Sequence, residues 1–119
     1  MTHAEKDKLD IRWSELIKER DGHRCRHCGT TVKKLESAHI VGRSSFKTRW
    51  LLRNGLTLCF TCHAEYDQHR NNAESWLVNH IGKELWAELQ WLSRPCNAGG
   101  NYFYEDIKKQ LEEDFNGGE

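Results

Sequence analysis

The chain has 119 residues, 37% hydrophobic and 30% charged, with a formal net charge of zero. That is enough for one domain with a thin core, so a metal staple is expected. No apolar run approaches the length of a membrane span and none opens the chain as an export signal, so the expectation is a soluble cytoplasmic protein with no membrane partner.

The zero balance hides a segregation of charge. Residues 18–53 hold ten Lys/Arg against three Asp/Glu, a balance of +7, and residues 54–119 hold five against eleven, a balance of −6. A basic half beside an acidic half is the electrostatic footprint expected of a protein that meets a polyanion. Five cysteines, four of them in Cys-x-x-Cys pairs, suit a reducing compartment better than a disulfide framework. The fifth, Cys96, is expected as a free thiol.

Residues 4–20 read as a helix whose apolar face is Leu9, Trp13, Leu16 and Ile17, stopped by Asp21-Gly22. Trp13 is expected as a core anchor. Next come Cys25-Arg26-His27-Cys28 and, thirty residues later, Cys59-Phe60-Thr61-Cys62. Two such pairs are the ligand set of a structural zinc, since each closes on the metal through a tight turn. With four cysteines completing the tetrahedron, His27 is expected to face solvent or phosphate. The gap, 29–58, must hold structure of its own. Residues 35–41 read as a strand with Glu36, Ala38 and Ile40 on one face and Ser37, His39 and Val41 on the other. Residues 42–53 read as a packed basic loop, Asn54-Gly55 as a turn and 56–58 as a second strand.

A helix is expected over 59–70, and further amphipathic helices from Asn72 onward. Trp76, Leu77, His80 and Ile81 share one face, and Leu85, Trp86, Leu89 and Leu92 another, with Gly82 between them. Residues 95–101 read as a linker, 102–115 as a last helix and 116–119 as a frayed end.

The order of these residues resembles the HNH endonuclease family, the zinc-stabilised branch of the ββα-metal (His-Me finger) nucleases. The matching residues are Ala38-His39-Ile40, Asn54 and Leu58-Cys59-Phe60-Thr61-Cys62-His63, and the resemblance spans residues 25–70. Ser75-Trp76 and Ile81-Gly82 look more loosely like small phage-type nucleases. The resemblance implies an α+β fold in one domain, 1–119. An N-terminal helix (1–22) and C-terminal helices (71–119) would flank a ββα-metal core (23–70) carrying the four-cysteine zinc. It implies metal-dependent hydrolysis of DNA phosphodiesters in a bacterial or phage-infected cell. One such site cuts one strand, so nicking is expected, and a double-strand cut would need a homodimer, for which the Trp-bearing helices offer a surface.

The family assigns roles to three residues. His39 matches the general base, a task that suits a neutral imidazole near pH 7. Asn54 matches the residue that ties the loop between the strands. His63 matches a ligand of the catalytic divalent cation. Ala38 departs from the family, because many members carry a metal-binding Asp or His there. Asp67, one helical turn beyond His63, is the expected second ligand. The cofactors implied are one structural Zn2+ per chain and a catalytic Mg2+ or Mn2+, with Ni2+ as an option for an imidazole ligand.

Arg43, Lys47, Arg49 and Arg53 are the candidate phosphate contacts, which position a duplex without reading it. No recognition helix is visible, so little sequence specificity is expected. On the residues alone, His39 also fits a satisfied core histidine, His63 a cap or alternative zinc ligand, and Asn54 a plain turn residue. The rival function is a non-catalytic zinc module that binds nucleic acid or protein through a degenerate HNH motif. A third reading is an RNA-directed nuclease.

Overall fold

Helix α1 (His3–Arg20) opens the chain in a computed structural model that describes residues 1–97 and 99–117. Its start is a capping box: the Thr2 hydroxyl accepts the Glu5 N–H at 3.1 Å while the Glu5 carboxylate accepts the Thr2 N–H at 2.8 Å. Two donors that the helix leaves orphaned are thus satisfied reciprocally. Leu9, Trp13, Leu16 and Ile17 are its buried face.

Strand β1 (Leu35–His39) pairs antiparallel with β2 (Gly55–Cys59), with Ser37 opposite Thr57 and His39 opposite Gly55. Alternation turns Ser37, His39, Gly55 and Thr57 toward α1. Ser37 shares a hydrogen bond with Ser14 at 2.9 Å, and the Thr57 hydroxyl donates to the Ile17 carbonyl at 3.4 Å. The opposite face carries Ala38, Leu56 and Leu58 into a cluster with Tyr66.

The strands are not joined by a tight hairpin. Asn54 closes a 3-10 turn (Leu52–Asn54), and Gly55 is extended, with φ −145° and ψ 157°. Glycine is required at 55 for another reason: a Cβ there would overlap the Trp13 ring and approach Ile17 Cδ1 to 2.9 Å. The basic loop between the strands is itself built, holding a short helix, α2 (Phe46–Arg49), before that 3-10 turn.

Helix α3 (Phe60–Gln68) follows β2 directly, and Cys59 is its N-cap, the thiol sulfur facing the Cys62 N–H. The helix expected over 59–70 breaks at His69, whose φ of −128° and ψ of 53° leave the helical region. The His69 carbonyl then starts α4 (Arg70–Ile81) by accepting the N–H groups of Asn72 and Ala73. Gly82, at φ 93°, turns the chain into α5 (Lys83–Leu92), a backbone position that suits glycine. The 95–101 linker holds a 3-10 turn (Pro95–Asn97), and Ala98 within it lies outside the described residues. So do Gly118 and Glu119 of the end expected to fray. Helix α6 (Tyr104–Asn116) returns to α1, where the Arg12 guanidinium grips Glu112 at 2.6 and 3.1 Å.

The sheet therefore lies between two apolar clusters. One joins α1 to α6 through Leu9, Trp13, Leu16, Ile17 and Leu111. The other joins the sheet to α3, α4 and α5 through Leu56, Leu58, Tyr66, Leu77 and Leu89. Each fully buried leucine stabilises the fold by roughly 1.5–3 kcal/mol. The architecture is a small mixed domain of helices on a two-stranded sheet. Among the described residues no helix is long and apolar enough to cross a membrane.

Candidate functional site

The four paired cysteines converge. One sulfur from each of Cys25, Cys28, Cys59 and Cys62 lies within 4.8 Å of the others, and among the described residues this is the only such cluster of metal-binding side chains. Cys28 Sγ and Cys59 Sγ are 3.8 Å apart, the edge length of a tetrahedron with metal–sulfur bonds of about 2.3 Å. The two knuckles repeat one geometry: the Cys28 N–H faces Cys25 Sγ at 3.4 Å and the Cys62 N–H faces Cys59 Sγ at 3.5 Å. Burial works against a thiolate at Cys25, but the N–H groups of Cys28, Cys59 and His27 outweigh it and bring the thiol down to about 6. At Cys62 burial and the three neighbouring sulfurs all push upward. Four sulfurs this close could hold a metal such as zinc, whose charge would offset that of the thiolates that bind it. His27 is exposed, as expected, and also touches the cluster. Its Nδ1 lies 3.6 Å from Cys62 Sγ, and its ring packs edge-on against Trp76.

A second constellation lies in a cleft of about 430 Å3, where β1 contributes His39, the following loop Arg43, α3 His63 and Asp67, and α4 Arg70. The His39 ring stacks on Trp13 at 4.1 Å between centroids, nearly parallel at 9°. Its Nε2 lies 2.9 Å from the Arg49 carbonyl oxygen. A carbonyl only accepts, so Nε2 carries the hydrogen and Nδ1 keeps its lone pair. Burial pushes the imidazole below its ordinary pKa; the Arg49 carbonyl opposes this, and the charge of Arg43 adds to it. His39 is thus neutral near pH 7 with one nitrogen free to take a proton.

Asn54 is fully buried and spends its amide on the loop. Its Oδ1 accepts the Val41 N–H at 2.9 Å, and its Nδ2 donates to the carbonyls of Val41 (3.2 Å) and Thr48 (3.0 Å). Those bonds tie the start of the loop to its end, with the Arg49 peptide between them.

His63 has a carboxylate at each nitrogen. Glu36 Oε1 is 3.0 Å from Nδ1, and Asp67 Oδ2 is 3.5 Å from Nε2. The shorter contact makes Nδ1–H the donor to Glu36, which leaves Nε2 and the Asp67 carboxylate as two acceptors facing each other. Such a pair needs a proton or a cation between its members. Ala38, by contrast, is 1% exposed and packed in the core. Glu36, two residues earlier on the same strand face, is the acid that reaches His63.

Of the four basic residues expected to meet phosphate, Arg43 lines the cleft and also donates to Asp10 at 2.8 Å. The Arg49 guanidinium is 11% exposed and paired with Asp10, and Arg53 pairs with Glu88 at 2.6 Å. Lys47 sits half-buried on α2 and does not line the cleft. A second guanidinium at the cleft belongs to Arg70, which donates to the Tyr66 hydroxyl at 2.7 Å. Glu36 and Arg70 carry no motif signal of their own. Glu36 is nonetheless visible in the strand alternation that sets it on the Ala38 face.

The chain matches no protein-family model, and comparison with curated proteins and with solved structures finds no significant match.

Proposed function

We propose that this chain is a metal-dependent endonuclease of the HNH type, hydrolysing DNA phosphodiesters one strand at a time on a ββα-metal core braced by a structural zinc. The observation that carries the reading is the meeting of His39, with Nδ1 unprotonated, and the His63–Asp67 pair in one cleft. A zinc scaffold alone needs neither.

In this reading His39 Nδ1 takes the proton of the attacking water as its oxygen bonds to phosphorus and the bond to the leaving oxygen breaks. The Nε2–H bond to the Arg49 carbonyl keeps the tautomer and faces the charge that develops on the ring. Arg43 and Arg70 offer guanidinium groups to the phosphate oxygens. His63 Nε2 and Asp67 would hold a divalent cation such as Mg2+ or Mn2+, with Glu36 fixing the imidazole from behind. Bound there, the cation supplies charge for the phosphate and the leaving oxygen. A double-strand cut would take two chains.

The test is a supercoiled-plasmid assay with Mg2+, Mn2+ or EDTA on wild type and His39→Ala, with zinc content and melting measured on both. Metal-dependent conversion to open circles by wild type alone is expected, from two proteins with equal zinc. No cleavage in either metal from a folded, zinc-loaded wild type would sink the nuclease and leave the non-catalytic zinc module.

A further inference from the structure

The residues that brace His39 come largely from α1, outside the 25–70 segment that carries the HNH-like motif. Asp10 takes four hydrogen bonds from the loop between the strands. Arg43 Nη2 donates at 2.8 Å, Arg49 Nε and Nη2 at 3.1 and 2.7 Å, and Trp50 Nε1 at 2.8 Å. Three of the four come from a guanidinium to a carboxylate, the strong kind. The Arg49 side chain is further confined over the Trp50 ring, 5.0 Å from its centroid. The residue whose carbonyl meets His39 Nε2 is therefore fixed through its side chain by α1. Trp13, one helical turn beyond Asp10, stacks on the His39 ring and donates Nε1–H to the Leu51 carbonyl at 2.8 Å. Ring and carbonyl are gripped by the same helix.

We propose that Asp10, acting through Arg49, and Trp13, acting through its ring, are positioning residues that hold His39 in its Nε2–H form and orientation. The role of His39 here rests on the nuclease reading above. Holding a base in the attacking geometry is worth large factors, and a small displacement loses them. Asp10 also lines the cleft, as a carboxylate paired with Arg43. On charge alone it hinders a polyanion, so its two effects have opposite signs and can be separated.

Asp10→Asn and Arg49→Lys each break the bidentate pair at nearly constant size. Zinc content and melting report the fold of each variant, and either one suffices if the other does not fold. The first readout is the His39 Nε2–H proton in a proton–nitrogen spectrum. In wild type the Arg49 carbonyl shields it from exchange; in both variants the signal should broaden or vanish. The second is plasmid nicking set against binding of the same DNA without metal. In Asp10→Asn kcat should fall by about tenfold or more while DNA affinity holds or tightens, since Arg43 is released. A variant that keeps the protected proton and the wild-type kcat, whatever its affinity, overturns the proposal. So does a wild type with no protected proton. If the proton is lost in both variants but wild type never cuts, the positioning stands and the nuclease reading is what fails.

Discussion

Two imidazoles face one cleft, and their hydrogen-bond partners suit them to opposite tasks. His39 donates from Nε2 to the neutral Arg49 carbonyl, whereas His63 donates from Nδ1 to the charged Glu36. A carboxylate behind an imidazole fixes the ring and its tautomer so that the far nitrogen faces a cation, as metal-binding histidines use it, while the carbonyl behind His39 fixes the ring without adding a charge. The His39 pKa is lowered, burial first, so the group is deprotonated at lower pH than a free imidazole. The acid limb of kcat/KM should therefore have its midpoint below 6.5, the ordinary value; a midpoint above it would mean that another group is the base. At His63, Asp67→Ala should raise the metal concentration needed for half-maximal nicking. Glu36→Gln should raise it as well, by about tenfold, as outer-shell changes do. Unchanged metal dependence in Asp67→Ala would remove Asp67 from the ligand set.

Helix α1 and the sheet meet where the backbone of β2 comes close to the Trp13 ring. Gly55→Ala would push that ring, and with it the stacked His39, or would move the strand. Overpacking of this kind costs about 1–3 kcal/mol, so urea unfolding should shift by that much; an unshifted midpoint would mean that Trp13 yields freely. Gly55 also marks where local reading of the sequence stops. Asn-Gly has strong turn propensity, but the tertiary contact with Trp13 is what calls for glycine, and Asn54 is needed as a buried amide across the loop. The cysteine knuckles were legible because spacing alone carries their geometry, and α1 because Leu9, Trp13, Leu16 and Ile17 keep a helical period. Alternation in β1 set Glu36 and His39 on opposite faces, as they stand. The pairing of Asp10 with the loop arginines had no local signal, since it depends on chain brought in from more than thirty residues away, and nothing in the local pattern marked the break at His69.

Charge at the scale of the molecule is quieter than the count along the sequence. Arg20 and Arg26 both pair with the buried Asp21, Arg43 and Arg49 with Asp10, and Arg53 with Glu88. Much of the basic half thus serves to hold α1, the first knuckle and the loop together. The knuckles continue that framework. The Arg26 N–H donates to the Thr57 carbonyl at 2.8 Å and the Phe60 N–H to the Lys34 carbonyl at 2.9 Å, so a metal on the four sulfurs locks both ends of the segment carrying His39 and Asn54. Structural zinc contributes about 10–16 kcal/mol in small zinc-finger peptides, against a total stability of about 5–15 kcal/mol for a typical domain. Losing the metal should therefore lose the fold. Cys59→Ser tests this cleanly, because Cys59 is also the N-cap of α3 and serine is itself a good N-cap, which leaves the missing thiolate as the change that matters. The variant should bind no zinc and show no cooperative melting, whereas Cys96→Ser, at an exposed thiol outside the cluster, should keep both. A Cys59→Ser protein that retained its zinc and its melting temperature would defeat the four-cysteine site.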